Sequence, residues 1–280
     1  MVATANINYA EKGCAVLEVE SVFGESTVTS AFASTPLKLL TPRSRGTSVW
    51  AYTSSFGGGF VAGDETRLEL NIGKDARCFL GTQASTKIYR NPSQRACGHV
   101  TQVTVGENAL LVFAPDPVQP FKSSSYVQRQ TFQLAAGAGL VLVDWFTSGR
   151  AARGEHWAFD RFQSRNEVFI AGRRAFLDSI LLNAANGFNA SVHQTGRFNC
   201  FAALLLLGTP LKEFAEKLTQ EISARPVGRR SALVVSASAI PGGALLRIAG
   251  ESVEEVGREL HHHLKFVAPL LGDDPWRRKW

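Results

Sequence analysis

Three stretches of the chain follow one plan: an alternating run, a glycine-bearing turn, then a more apolar run. Thr66 to Ile72 leads into Gly73-Lys74-Asp75-Ala76. Val100 to Val105 leads through Gly106-Glu107-Asn108-Ala109 to Leu110-Leu111-Val112-Phe113. Thr131 to Leu134 leads through Ala136-Gly137-Ala138-Gly139 to Leu140-Val141-Leu142-Val143. Alternation at period two marks a strand buried on one face; an unbroken apolar run marks one covered on both. Turn signals recur at intervals of about 8–15 residues from Gly13 to Gly172, and Ala15 to Glu20 opens the series with the same alternation. The pattern predicts an all-β body made of a repeated hairpin or coil unit.

The character changes near Arg173. Ala175 to Asn186 has helical spacing and ends at Gly187, a suitable C-cap. Cys200 to Leu207 and Pro210 to Ser223 read as a helical pair broken at Gly208-Thr209-Pro210. Strands are expected at Ser231 to Ala237 and Gly243 to Ile248. A last helix is expected from Ser252 to Phe266, with Val253, Val256, Leu260 and Leu264 on one face. No linker rich in Pro, Gly or Ser divides the chain. The expectation is one domain over residues 1–280, with a β body at about 13–172 and helices and closing strands at about 173–280.

With 280 residues, 45% of them hydrophobic and 19% charged, the chain can bury a sizeable core. Its net charge of +6 is spread out, apart from Arg173-Arg174, Arg229-Arg230 and Arg277-Arg278-Lys279. That is neither the stripe nor the module of a nucleic-acid reader, and it suits acidic protein partners better. The four cysteines form no CxxC pair, which argues against a disulfide framework and a structural zinc site. The first residues lack a basic start followed by an apolar run. The longest apolar stretch, Cys200 to Leu207, falls far short of the roughly 20 residues needed to span a bilayer. A cytoplasmic protein is expected.

Ser54 to Arg90 carries the densest local signal. Gly57-Gly58-Gly59 gives the backbone freedom to turn sharply or to let another backbone approach. Gly58 and Gly63 have phosphate-loop spacing, but that loop needs Lys and then Ser or Thr after its second glycine. Asp64-Glu65 stand there instead and would repel phosphate. A tight turn between strands is the first reading; Asp64 and Glu65 as oxygen ligands or acidic contacts is the second. The run Thr82-Gln83-Ala84-Ser85-Thr86-Lys87-Ile88-Tyr89-Arg90 is too polar for a core strand.

If Leu140 to Trp145 is a strand, Asp144 shares the apolar face of Leu140 and Leu142, where a carboxylate needs a partner, a proton or a cation. An ion pair with Arg150 or Arg153 is the first expectation and a metal contact the second; Glu155 is read the same way. His261-His262-His263 lacks i, i+4 spacing, and neighbouring side chains on a helix diverge by about 100°. The three therefore cannot all face one ion, and a solvated or partly packed helix face is expected. His99 is expected to be an ordinary surface or core histidine. There is no GxSxG elbow, whereas a paired-carboxylate hydrolase needs no linear spacing and stays open.

Four segments together resemble the urease accessory protein family UreD, also called UreH. They are Gly57 to Asp64, Thr82 to Tyr89, Pro115-Asp116-Pro117-Val118-Gln119-Pro120-Phe121, and Asp144 to Glu155, all in the family's order. The resemblance covers about 40–160 well and the rest loosely. It implies a mainly β fold, a β-helix-like stack of strands with a small α-helical cluster in the C-terminal half. It also implies a non-catalytic urease maturation chaperone that binds apo-urease. Through a UreF-type partner it would recruit the UreG-type GTPase, with nickel(II) as transient cargo and no permanently bound cofactor. On this resemblance Asp64, Asp144 and Glu155 are expected to serve nickel transit, and Thr82, Gln83, Thr86, Lys87 and Tyr89 a channel or partner surface. The alternatives are a β-helical carbohydrate-active enzyme using exposed aromatics such as Trp145 and Trp157, and a basic nucleic-acid-binding protein.

Overall fold

The computed structural model describes residues 12–43, 46–93, 95–188 and 192–277. The reading of the first residues and the basic pair Arg278-Lys279 lie outside them. The alternating runs become parallel strands wound into a β-solenoid of about 4 turns. β1 (Cys14–Val22) is flanked by antiparallel β2 (Glu25–Ala33), and after β3 (Leu37–Leu40) the chain forms β4 (Val49–Ser55) and the short β5 (Gly59–Phe60). The next coil is β6 (Glu65–Ile72), β7 (Arg77–Thr82) and β8 (Thr86–Ile88). A third follows as β9 (Cys97–Val105), β10 (Leu110–Phe113) and β11 (Val118–Pro120). β12 (Ser125–Leu134) and β13 (Gly139–Thr147) make the fourth, and β14 (Arg161–Ile170) with antiparallel β15 (Arg173–Asn183) ends the first face.

The first sheet has the order β15-β14-β12-β9-β6-β1-β2. After the one-turn α1 (Val192–Thr195), the strands β16 (Cys200–Leu207), β17 (Leu233–Ile240) and β18 (Gly243–Gly250) extend the second face. Its order is β17-β18-β16-β13-β10-β7-β4-β3, while β5, β8 and β11 form a short third wall. The turn at Gly73 to Ala76 carries the chain from β6 in one sheet to β7 in the other, so the repeated unit is a coil and not a hairpin. Stacking in register makes rungs: Leu17, Leu70, Val103, Phe132 and Val168 lie side by side across five strands, all buried.

The second sheet separates two apolar clusters. Leu140, Leu142 and Phe146 point into the solenoid, whereas Val141 and Val143 point outward under the helices. The helical layer is α2 (Lys212–Ser223), α3 (Val253–His263) and the short α4 (Val267–Leu271). Ser252 caps α3 by accepting a hydrogen bond from the Glu255 amide at 3.2 Å, as its place before the apolar stripe implies. Among the described residues no helix is long and apolar enough to cross a membrane.

Two expected helices are strands. Ala175 to Asn186 falls largely in β15, which pairs with β14 from Asn183 to Arg173 and so covers the last open parallel edge. Its residues alternate between half-buried and exposed, a period-two pattern that a short run shares with a helical stripe. Cys200 to Leu207 is β16, paired with β13 and β18. Leu205 and Leu207 face the inner cluster while Cys200, Ala202, Leu204 and Leu206 face the helices, so an unbroken apolar run is what a strand buried on both faces requires.

The glycine turn also packs closely. A methyl on Gly59 would lie 2.2 Å from the Lys87 carbonyl oxygen, whereas one on Gly98 would meet nothing nearer than 3.7 Å. Gly59→Ala is therefore expected to lose roughly 1–3 kcal/mol of stability in urea unfolding, the usual cost of overpacking. Gly98→Ala should stay close to wild type in the same measurement.

Candidate functional site

Two rungs of the first sheet are polar where their neighbours are apolar. One runs through Thr66, His99, Gln128 and Ser164. The next runs through Thr101, Gln130 and Asn166 to Asp178 on β15. Inside the solenoid most of these groups bond to one another, as buried polar groups usually do, while the buried Thr101 hydroxyl makes no such bond. Gln130 Nε2 donates to Asn166 Oδ1 at 2.7 Å, and Gln128 Nε2 donates to Ser164 Oγ at 3.1 Å. His99 Nδ1 lies 2.8 Å from Thr66 Oγ1. Burial pushes the His99 imidazole down to about 4, so it is a neutral core histidine at physiological pH.

Asp144 faces these rungs from the second sheet. Asn166 Nδ2 donates to its Oδ2 at 2.6 Å, Ser164 Oγ to the same oxygen at 2.8 Å, and Gln128 Nε2 to Oδ1 at 3.2 Å. Burial raises the carboxyl above the ordinary aspartate range, and the bonds from Asn166, Ser164 and Gln128 oppose that rise. The ion pair expected with Arg150 or Arg153 does not form. Arg150 instead clasps Glu155 through both guanidinium branches, Nε donating to Oε2 at 2.9 Å, and holds that carboxyl below its usual range. The register explains the separation from the other nearby cation. Asp144 pairs with Ala203, and Ala203 pairs with Arg247, so Arg247 stands two strands away, roughly 10 Å along the sheet. It bonds across to Asp178 at 2.9 Å instead.

Asp144 is deep in the fold yet keeps part of its surface open, because it forms part of the wall of two cavities. One, of about 360 Å³, also takes in His99, Gln128, Gln130 and Asp116, and reaches the surface at exposed Phe56, Gly57 and Gly58. The other, of about 680 Å³, includes Asp178 and Arg247 and reaches exposed Leu181 and Ser236. Of the residues singled out in the sequence, Thr82, Gln83 and Thr86 line the first cavity with Asp144. Lys87 and Tyr89 do not line it; they brace its mouth, Tyr89 Oη donating to the Gly57 carbonyl at 2.7 Å. Asp64 lines neither cavity: its carboxylate accepts from the Val61 amide at 2.9 Å and shapes the turn at Gly63. Glu155 lines neither as well. Trp157, read as an exposed aromatic, is buried against Phe146, Phe159, Phe188 and Phe201.

Gln128, Gln130, Ser164, Asn166 and Asp116 escaped the sequence reading. The signal was parity. Gln128 and Gln130 share the alternation phase of Tyr126, Phe132 and Leu134, and Ser164 and Asn166 share that of Phe162 and Val168. Asp116 is tied to Thr82, whose hydroxyl donates to Asp116 Oδ2 at 3.0 Å. The cysteines add no ligand here: all four are buried, and burial pushes Cys97 and Cys200 up to about 12.

The family model of the UreD urease accessory protein matches residues 11–280. The chain belongs to the UreD family. It is 45% identical to urease accessory protein UreD of Sorangium cellulosum over 96% of this chain and 84% of that protein. It is 38% identical to UreD of an Anaeromyxobacter species, over 95% of this chain and 89% of that one. It is also 33% identical to urease accessory protein D of Arabidopsis thaliana, over 92% of this chain and 97% of that one. These relatives carry the names of accessory proteins, and membership of the family supports a role in urease maturation.

Because Asp144 holds protons more tightly folded than unfolded, its contribution to stability falls as pH rises from the unfolded pKa through the raised one. The stability of Asp144→Asn relative to wild type should therefore climb from about pH 4 upward, as read by urea unfolding at a series of pH values. A difference that stays flat over that range would mean an ordinary carboxyl.

Proposed function

We propose that the chain is a cytoplasmic, non-catalytic chaperone of urease maturation that holds apo-urease and passes nickel(II) through its interior by way of Asp144. The supporting observation is that Asp144 belongs to the walls of both cavities while its oxygens are held by amide and hydroxyl donors instead of a cation. A guanidinium in that place would cancel the charge. Neutral donors orient the carboxylate and leave it able to attract a divalent ion.

Oxygen donors also suit a cargo that must leave again. Carboxylate, amide oxygen and hydroxyl hold a borderline ion loosely, whereas thiolates would retain it. On this reading nickel enters at the mouth braced by Tyr89 and Lys87, passes Thr82, Gln83, Thr86 and Asp116, and crosses at Asp144 into the larger cavity. A UreF-type partner would dock the chain to the UreG-type GTPase that supplies the ion. We assign transit to Asp144 rather than to Asp64, which shapes a turn, or Glu155, which Arg150 neutralises.

In cells whose own UreD-type protein is deleted, Asp144→Asn should lower urease activity and urease nickel content by about tenfold or more, the scale of losing ~1.4 kcal/mol of hold on the ion. The variant should still fold and co-purify with apo-urease, and Asp64→Ala should remain close to wild type. Full activation by Asp144→Asn would sink the transit role.

A further inference from the structure

The histidine run on α3 lies outside both cavities that Asp144 lines. On α3, His261 turns toward Trp276, their rings 5.6 Å apart, whereas His262 and His263 lie together with ring centroids 5.0 Å apart. Three consecutive histidines cannot face one point on a helix, but two of them meet a third group from α2. One ligand-capable atom each from Glu221, His262 and His263 falls within 4.8 Å of the others. His262 Nε2 is 3.2 Å from Glu221 Oε1.

We propose that Glu221, His262 and His263 form a surface site for a divalent first-row transition ion of the zinc and nickel class. Two imidazoles and a carboxylate are a donor set such ions favour, and open positions remain for water. Glu259, one turn before His263, lies 3.1 Å from His263 Nε2 and ties that ring to a carboxylate, the usual way a ligating imidazole is oriented. Arg225 pairs with Glu259 and occupies its charge, so Glu259 supports the site instead of competing for the ion. Glu221 and His263 both lie in the last turn of their helices, where the partial negative charge of the carbonyl ends favours a cation. His263 is buried and fixed, while Glu221 and His262 are exposed and give the ion access. None of the three lines either interior cavity, so the site stands apart from the transit reading and does not rest on it.

The test is titration of the purified full-length chain with Zn(II) and, separately, Ni(II), by calorimetry with equilibrium dialysis for stoichiometry. Wild type is compared with His262→Asn, Glu221→Gln and Asp144→Asn. The first two change exposed side chains and leave the core intact, which far-UV circular dichroism verifies. Each should remove one bound equivalent or weaken it at least about tenfold, the mark of a lost ligand, while Asp144→Asn retains that equivalent. Isotherms unchanged in both His262→Asn and Glu221→Gln would overturn the site, as would loss of the same equivalent only in Asp144→Asn.

Discussion

In-register stacking of parallel strands is the constraint on which the rest of this molecule depends. Because side chains alternate at period two, each inward position of one coil lies beside an inward position of the next, and a slip of one residue would exchange core for surface along a whole strand. Columns must therefore be satisfied as columns. The apolar rungs do this by packing, from Leu17 to Val168. The polar rungs do it by bonding sideways, Gln130 to Asn166 and Gln128 to Ser164. The same constraint creates open edges at the ends of the first sheet. Both are closed by an antiparallel strand, β2 and β15, each joined through a register shift.

That constraint also decides what could be read from the residues alone. The coil body was legible because glycine turns recur between alternating and apolar runs, and Asp144 was legible as a carboxylate in an apolar phase. β15 and β16 were not. A run such as Phe176 to Leu182 fits a helical stripe and a strand equally well, and only the unfilled edge of β14 selects the strand. β16 became a strand because the second sheet needed a member with apolar groups on both faces. The partners of Asp144 were hidden for a related reason. Gln128 and Asn166 lie 16 and 22 residues from it in the chain, and winding alone brings them together.

The sheets also sort the charges. Arg247 and Asp144 belong to one sheet with Ala203 between them, and the guanidinium spans the gap between sheets to reach Asp178. Asp178 is thereby neutralised and Asp144 is not. A carboxylate left in the interior on neutral hydrogen bonds costs several kcal/mol relative to water, which is large against a typical folding stability of about 5–15 kcal/mol. An alanine and an arginine exchanged between neighbouring strands would have removed that cost. Keeping the charge where two cavities share a wall makes sense when something cationic uses the space between them.

The interior carboxylate and the outer Glu221–His262–His263 cluster differ in kind, and the difference follows from their donors. The groups bonded to Asp144 are two amide nitrogens and a hydroxyl, all spent as donors, so on the proposed reading a transition ion there gains little beyond charge attraction. On α3 the imidazoles offer lone pairs that such ions bind more strongly, and Glu259 fixes one ring before the ion arrives. A route that passes a metal is served by keeping thiolate ligands out of it. Here the cysteines are buried as thiols, and the smaller cavity is lined by oxygens of Thr82, Thr86, Asp116 and Asp144 together with the His99 ring, whose Nδ1 lies beside Thr66.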